Sequence, residues 1–298
     1  MTIFIGVVLP VLHIFLTGYV IQKWKRLDIK PISTVAIYIL TPMLVFQTFY
    51  RAELNKQYAI MVLFSVLLLA ALIIINKLYC KIRGYSQSVE GGLILSTAFM
   101  NAGNYGAPIV LFAYGEVGFA YAVSFLVLQA IIMNFFGIYY AARGKAGAKF
   151  AIKAVFEMPA TYAVILALLL NLGEVKVAYN ILSVIDLLAA ATIPLVMVIL
   201  GMQLAEIKLF NMQWDKISFG VVVRLLLSPL IALGILWFIP MDPILQKVLI
   251  LSAAMPSAAT TVMYAVQYET EPNLVSSITL ITTLISIVSI TVLLILLG

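Results

Sequence analysis

The chain has 298 residues, 64% hydrophobic and 10% charged, with a formal net charge of +6. A soluble domain carries about a quarter charged residues, and a chain this apolar would present more apolar surface than water tolerates, so the bilayer is the expected solvent. One cysteine, Cys80, and one histidine, His13, exclude an intramolecular disulfide, a cysteine-rich metal site and a multi-histidine site. No metal, no cofactor and no enzymatic chemistry is expected.

A crossing needs roughly 20 apolar residues. Ten runs qualify, at 3–21, 32–50, 58–80, 88–113, 118–141, 152–172, 179–204, 216–239, 244–267 and 273–297; they are numbered here as spans 1 to 10. Span 1 reads as a retained helix rather than a signal peptide, because its positive residues Lys23, Lys25, Arg26 and Lys30 follow the apolar run instead of preceding it. The connecting loops are short and polar, and a single membrane domain is expected over residues 1–298.

The positive charges lie between the apolar runs, where they orient a membrane protein; nucleic acid is not expected as a partner. Loops after odd-numbered spans carry 13 Lys and Arg, and loops after even-numbered spans carry 4, with Arg224 left inside span 8. By the positive-inside rule both termini face outside a multi-pass cell membrane protein.

Two internal matches suggest a repeat. Thr41-Pro42-Met43-Leu44-Val45 in span 2 resembles Ile193-Pro194-Leu195-Val196-Met197 in span 7, with the prolines 152 residues apart. Leu95-Ser96-Thr97-Ala98 in span 4 resembles Leu251-Ser252-Ala253-Ala254 in span 9, at an offset of 156. Spans 1–5 (residues 1–149) then map onto spans 6–10 (residues 150–298). An odd number of helices per half means that the halves are inverted. The fold class read from the sequence is therefore an all-α membrane protein of ten transmembrane helices in two inverted five-helix repeats.

Spans 4 and 9 are interrupted. Span 4 holds Asn101-Ala102-Gly103-Asn104-Tyr105-Gly106-Ala107-Pro108, and span 9 holds Met255-Pro256-Ser257-Ala258-Ala259-Thr260-Thr261. Gly and Pro weaken a helix by roughly 1 and 3 kcal/mol per residue. Freed backbone at membrane depth persists only where it lines a cavity or is buried in protein. Gly and Pro are also common in membrane helices, so one break alone reads equally well as packing. Two at matching places point to a transport site. A half-helix starting at a break turns N–H groups and a positive dipole end toward the centre, and Asn101, Asn104, Thr260 and Thr261 add neutral donors. Together these suit a carboxylate.

Charged residues inside spans are functional candidates. Arg224 and Asp186 both sit nearer an interface than the midplane, so snorkelling is the plain reading. On the predicted orientation they lie on opposite sides and do not pair. His13 reads as a packing or hydrogen-bonding residue rather than a proton relay.

In order and spacing these residues resemble the auxin efflux carrier family, which includes plant auxin carriers and bacterial malate and malonate carriers. The resemblance runs over nearly the whole chain. It is carried by Pro42-Met43-Leu44-Val45-Phe46 in span 2; by Asn101, Gly106 and Pro108 in span 4; and by Val127-Leu128-Gln129 with Ile131-Ile132 in span 5. It continues through Leu200-Gly201 with Leu204-Ala205 in span 7, Arg224 with Pro229 in span 8, and Pro256 with Tyr268-Glu269 in span 9. It implies a fold like that of bile-acid transporters and sodium–proton antiporters. Spans 1, 2, 6 and 7 would form a scaffold. Spans 3–5 and 8–10 would form a moving transport domain, with spans 4 and 9 crossing at their breaks.

The resemblance further implies a homodimer and elevator-type alternating access. The substrate carboxylate would lie against Asn101, Gly103, Asn104, Gly106, Pro108, Gln129, Asn134, Pro256, Ala258, Thr260 and Thr261. Pro42, Gln47, Pro194, Gly201 and Arg224 would belong to the scaffold and pathway. Plant members have proline before the span 4 asparagine where this chain has Met100, so its break should rest on Gly103, Gly106 and Pro108. Thr261 replaces a second span 9 proline, and Asn134 replaces an aromatic. The pocket is thus more polar and less suited to stacking on an indole, which favours a small carboxylate or dicarboxylate.

Two other functional classes make different demands on the sequence. A cation-coupled carrier on the same fold would need a titratable carboxylate for proton antiport, and residues 96–108 and 252–264 contain no Asp or Glu; Na⁺ held by carbonyls and asparagine stays open. A non-transporting sensor or a membrane enzyme would need a signalling domain or a His, Cys or acid cluster.

Overall fold

Most helices begin and end for local reasons, and two breaks, near residues 99–101 and 254–258, interrupt them. The computed structural model describes residues 4–52, 56–142, 156–157, 159–206 and 213–298. Among the described residues the chain is helical throughout, with no β-strand. Helix α1 is Leu9–Lys25, α2 Ile29–Tyr50, α3 Lys56–Arg83 and α4 Gln87–Ala98. The stretch Ala102–Ala142 is divided at Gly115, whose φ of 65° falls in a region open chiefly to glycine. Its two parts are α5, residues 102–114, and α6, residues 116–142. Then come α7 Pro159–Leu172, α8 Tyr179–Glu206, α9 Trp214–Trp237, α10 Pro243–Ala253, α11 Ala259–Gln267 and α12 Pro272–Leu297.

Caps fix several starts. The Asp28 carboxylate accepts from the Lys30 N–H at 3.0 Å, and the Asp242 carboxylate accepts from Ile244 and Leu245 at 2.8 and 3.0 Å. Both satisfy backbone donors that have no partner in the first helical turn. Prolines shape the interiors. The widened π-helical turns Phe4–Val8, Ala36–Leu40, Ala102–Gly106 and Val223–Leu227 each end two residues before a proline, namely Pro10, Pro42, Pro108 and Pro229. A proline ring collides with the carbonyl four residues back and offers no N–H, and widening the preceding turn relieves both problems. At Pro42 the Thr41 hydroxyl donates to the Ala36 carbonyl at 2.8 Å.

The packing falls into two groups. In the first, α1 lies along α8, and α2 packs on α7 and α8. In the second, α3 packs on α4 and α9, α10 packs on α9 and on Ala107–Ile132, and α12 packs on α4, α9 and α11. The α1–α8 seam is backbone to backbone. A Cβ placed on Gly201 would lie 1.9 Å from the Phe15 carbonyl oxygen, and one on Gly18 would lie 2.0 Å from that of Val198. Small residues permit such approach between membrane helices. Large apolar side chains point outward along the bundle, among them Leu16, Leu67, Leu187, Trp237, Phe238 and Leu296. That surface suits hydrocarbon rather than water.

Among the described residues seven helical stretches are long and apolar enough to cross a bilayer, and Pro159–Leu172 and Pro243–Ala253 are shorter apolar helices. The difference from ten spans has identifiable sources. Spans 4 and 9 are each split into pieces, the second piece of span 4 runs on into span 5, and the start of span 6 lies outside the described residues. The break in span 4 also sits upstream of its expected place. Helix α4 ends at Ala98 and Phe99 is extended, whereas Gly103, Gly106 and Pro108 lie inside the helix that follows. Backbone pairing with span 9, not glycine content, sets the break.

Candidate functional site

The two breaks meet. Met100 and Ser257 form an isolated antiparallel bridge. The Asn101 N–H donates to the Pro256 carbonyl at 2.8 Å, and the Ala258 N–H donates to the Phe99 carbonyl at 3.0 Å. These bonds satisfy the backbone groups that each break leaves free, which at this depth would otherwise cost several kcal/mol apiece. Beside the bridge the Ser257 N–H donates to Thr282 Oγ1 at 3.3 Å, and Thr279 Oγ1 donates to Ser257 Oγ at 3.1 Å. Helix α12 thus buttresses the crossing from behind.

Four helix ends surround the bridge: the C-termini of α4 and α10 and the N-termini of α5 and α11. They divide by side. A cavity of about 210 Å³ is lined by the first turns of both N-terminal ends, through Ala102, Gly103 and Asn104 and through Ala259 and Thr260. Across it stand Thr41 and Leu44 of α2, Pro159 and Ala160 of α7, and Thr192, Ile193 and Val196 of α8, with Leu126 and Gln129 of α6 closing one flank. The cavity therefore lies between the two packing groups. None of the described residues lining it is charged.

Asn101 is the most pointed polar group there. It is 6% exposed, lines the cavity, and its side-chain amide nitrogen has no hydrogen-bond partner. A buried donor left unpaired costs about 1–3 kcal/mol, a penalty that a bound acceptor would remove. Gln129, also buried, donates to Ser65 Oγ at 3.3 Å, which holds it against α3.

The predicted residues sort accordingly. Asn101, Gly103, Asn104, Gln129, Ala258 and Thr260 come together around the cavity. Four others frame it from behind. The Gly106 N–H donates to the Asn101 carbonyl at 2.9 Å, Pro108 is buried in α5, Pro256 offers its carbonyl to Asn101, and Thr261 Oγ1 donates to the Ala258 carbonyl at 2.7 Å. The side chain of Asn134 lies outside the described residues. Pro42 is buried in α2, Pro194 sits within α8, and Gly201 makes the close α1 contact. Gln47 Nε2 donates to Asp186 at 2.6 Å, and Asp186 also pairs with Arg51 at 2.8 Å. His13 Nδ1 lies 2.8 Å from the Leu9 carbonyl one turn back, a bond within its own helix. Sequence reasoning missed Thr41, Thr192 and Tyr264 as lining residues. The first two adjoin the repeated prolines, which was the available signal; Tyr264 gave none.

Arg224 corrects an expectation. It does not snorkel: the residue is 0% exposed. Its guanidinium donates to the carbonyls of Thr97 and Ala253 and to Ser228 Oγ. Thr97 and Ala253 stand at the C-terminal ends of α4 and α10, so one cation caps both helices that run into the breaks. The Arg-x-x-x-x-Pro spacing explains its reach, since Pro229 widens the turn Val223–Leu227 that carries Arg224. Its position along span 8 alone puts Arg224 nearer an interface than the midplane, but the half-helices it caps end among buried residues.

A sequence profile described as membrane transport protein matches residues 3–294. The chain belongs to this family. It is the auxin efflux carrier family that the motifs resemble. An uncharacterized transporter of Methanothermobacter thermautotrophicus is 27% identical over 291 residues, covering 95% of this chain and 94% of that one. An uncharacterized transporter of Methanocaldococcus jannaschii is 29% identical over 298 residues, covering 94% of each. The apolar helices agree with a multi-pass protein of the membrane transport protein family. Among the described residues no group of three or more His, Cys, Asp or Glu side chains is placed to hold a metal.

Proposed function

We propose that this protein is a secondary transporter for a small organic anion, carried with its carboxylate in the cavity at the crossing of the two breaks. The observation that carries this reading is the unpaired, buried Nδ2 of Asn101, a residue that lines a cavity faced by two helix N-termini. Helix N-termini present free N–H groups and partial positive charge, and the described lining holds no charge that would repel an anion or pair with a cation. A malate- or malonate-like dicarboxylate, or an auxin-like monocarboxylate, has the acceptors this arrangement lacks.

The wider reading has ten spans in two inverted halves, with both termini outside the cell membrane. Met100 and Ser257, at the centres of the two breaks, are 157 residues apart, close to both sequence offsets. The packing groups support a scaffold of spans 1, 2, 6 and 7 and a mobile unit of spans 3–5 and 8–10, with the cavity on their boundary. Sliding one unit along the other would carry the cavity across the bilayer in the elevator manner, and a homodimer would anchor the scaffold.

The test is uptake of labelled malate, malonate and indole-3-acetate into proteoliposomes. Saturable uptake whose apparent affinity Asn101→Ala lowers by roughly tenfold or more supports the site. Absence of carboxylate uptake in a folded protein, or uptake unchanged in the variant, rejects it. Flux driven by voltage alone, with no Na⁺ or pH gradient, identifies a uniporter; a strict gradient requirement identifies coupling.

A further inference from the structure

We infer that Arg224 sets the charge selectivity of the cavity without touching its occupant, by cancelling the negative helix ends at the crossing and leaving the positive ones uncompensated. The inference rests on reading the cavity as an anion site.

Its starting point is how the crossing divides. Each helix end carries about half an elementary charge, positive at the N-terminus and negative at the C-terminus. Four ends brought together would nearly cancel, and a crossing with no added charge would discriminate weakly between an anion and a neutral analogue. Here the ends do not contribute alike, although Phe99, which follows the last residue of α4, also lines the cavity. The N-terminal turns of α5 and α11 line the cavity, and the C-terminal residues Thr97 and Ala253 do not. Those two carbonyls receive Arg224 instead.

The balance follows. Two C-terminal ends amount to about one negative charge, and the guanidinium supplies one positive charge that offsets it. Two N-terminal ends remain, amounting to about one positive charge, which matches a single carboxylate. In a buried site such charges are screened far less than in water.

Two alternatives fail on the geometry. Arg224 is not a direct ligand, because it is 0% exposed and no part of the cavity lining. It is not half of an ion pair either, because its guanidinium donates to backbone carbonyls and a hydroxyl and not to a carboxylate. Its partners are neutral carbonyls and the Ser228 hydroxyl, which in turn donates to the Ala253 carbonyl at 2.8 Å. The positive charge is therefore not neutralised by a carboxylate and acts on the crossing as a whole. Arg224 is a positioning and electrostatic residue.

The test compares each carboxylate with its uncharged isostere on purified protein: malonate against malonamide, and indole-3-acetate against indole-3-acetamide. Wild type should prefer the carboxylate. In Arg224→Gln that preference should fall at least tenfold with amide binding unchanged, and in Arg224→Lys it should stay within about threefold of wild type, because the charge is kept. A purely structural role would weaken acid and amide alike. A folded Arg224→Gln with an unchanged ratio overturns the inference. So does a folded Arg224→Lys that loses the ratio, and this second variant decides the matter alone where the first fails to fold. Wild-type protein that shows no preference for either carboxylate overturns the anion-site reading itself, a result visible before any variant is made.

Discussion

The backbone N–H of Asn101 donates to the carbonyl of Pro256 across 155 residues of chain, at 2.8 Å. This bond and its companion from Ala258 to Phe99 fix the register of the two breaks. They also place Met100 and Ser257 as a non-hydrogen-bonded antiparallel pair, for which Cα atoms lie about 4.5 Å apart. That separation is within disulfide range. In a Cys80→Ser background, Met100→Cys with Ser257→Cys should cross-link readily under mild oxidation, read as a shift in electrophoretic mobility. No cross-link in the folded protein would mean that the breaks do not meet.

Asn101→Ala should weaken carboxylate binding by roughly 10- to 100-fold, the equivalent of losing one hydrogen bond to a charged group, about 1.5–3 kcal/mol. Thermal stability should hold or rise slightly, because the variant removes an unsatisfied donor. Asn101→Asp should be worse for binding, since it sets a like charge beside the substrate. Calorimetry and thermal unfolding on the same samples separate the two effects.

Gly201→Ala should destabilise by about 1–3 kcal/mol, because its Cβ would press on the Phe15 carbonyl and a backbone atom cannot swing aside. Gly18→Ala should act similarly. The double variant should cost less than the sum, since either substitution alone already parts α1 from α8. Denaturation midpoints of the three variants test this.

Asp186→Asn should change little. The Arg51–Asp186 pair is short at 2.8 Å but its side chains are 52% and 39% exposed, and exposed pairs contribute about 0–1 kcal/mol. Uptake should be retained and unfolding should shift only slightly. A large loss of uptake with normal folding would place Asp186 in the transport pathway.

Binding of a fully ionised carboxylate should be independent of pH between about 6 and 8. The described lining holds no Asp, Glu, His, Lys or Arg. A steep pH dependence would reveal a titrating group elsewhere that couples to the site.

The sequence by itself determined the solvent, the helical class, the family and the existence of two interruptions. The family comes from the resemblance of ordered motifs; the other three follow from local composition: apolar runs long enough for hydrocarbon, and Gly, Pro and Asn clustered where such runs should be unbroken. Of the six expected residues that line the cavity, five sit in or beside the interruptions, and Gln129 came from the family resemblance. What lay beyond sequence was anything decided by a partner distant in the chain. The break in span 4 starts at Phe99 rather than at the glycines because the backbone of span 9 is there to pair with it. Arg224 reads as an interfacial charge on its own helix and becomes the cap of two others only once α4 and α10 converge on it. Periodicity reports a residue's environment along one helix; it carries no information about where the ends of two other helices come to rest, and at this crossing those ends decide the chemistry.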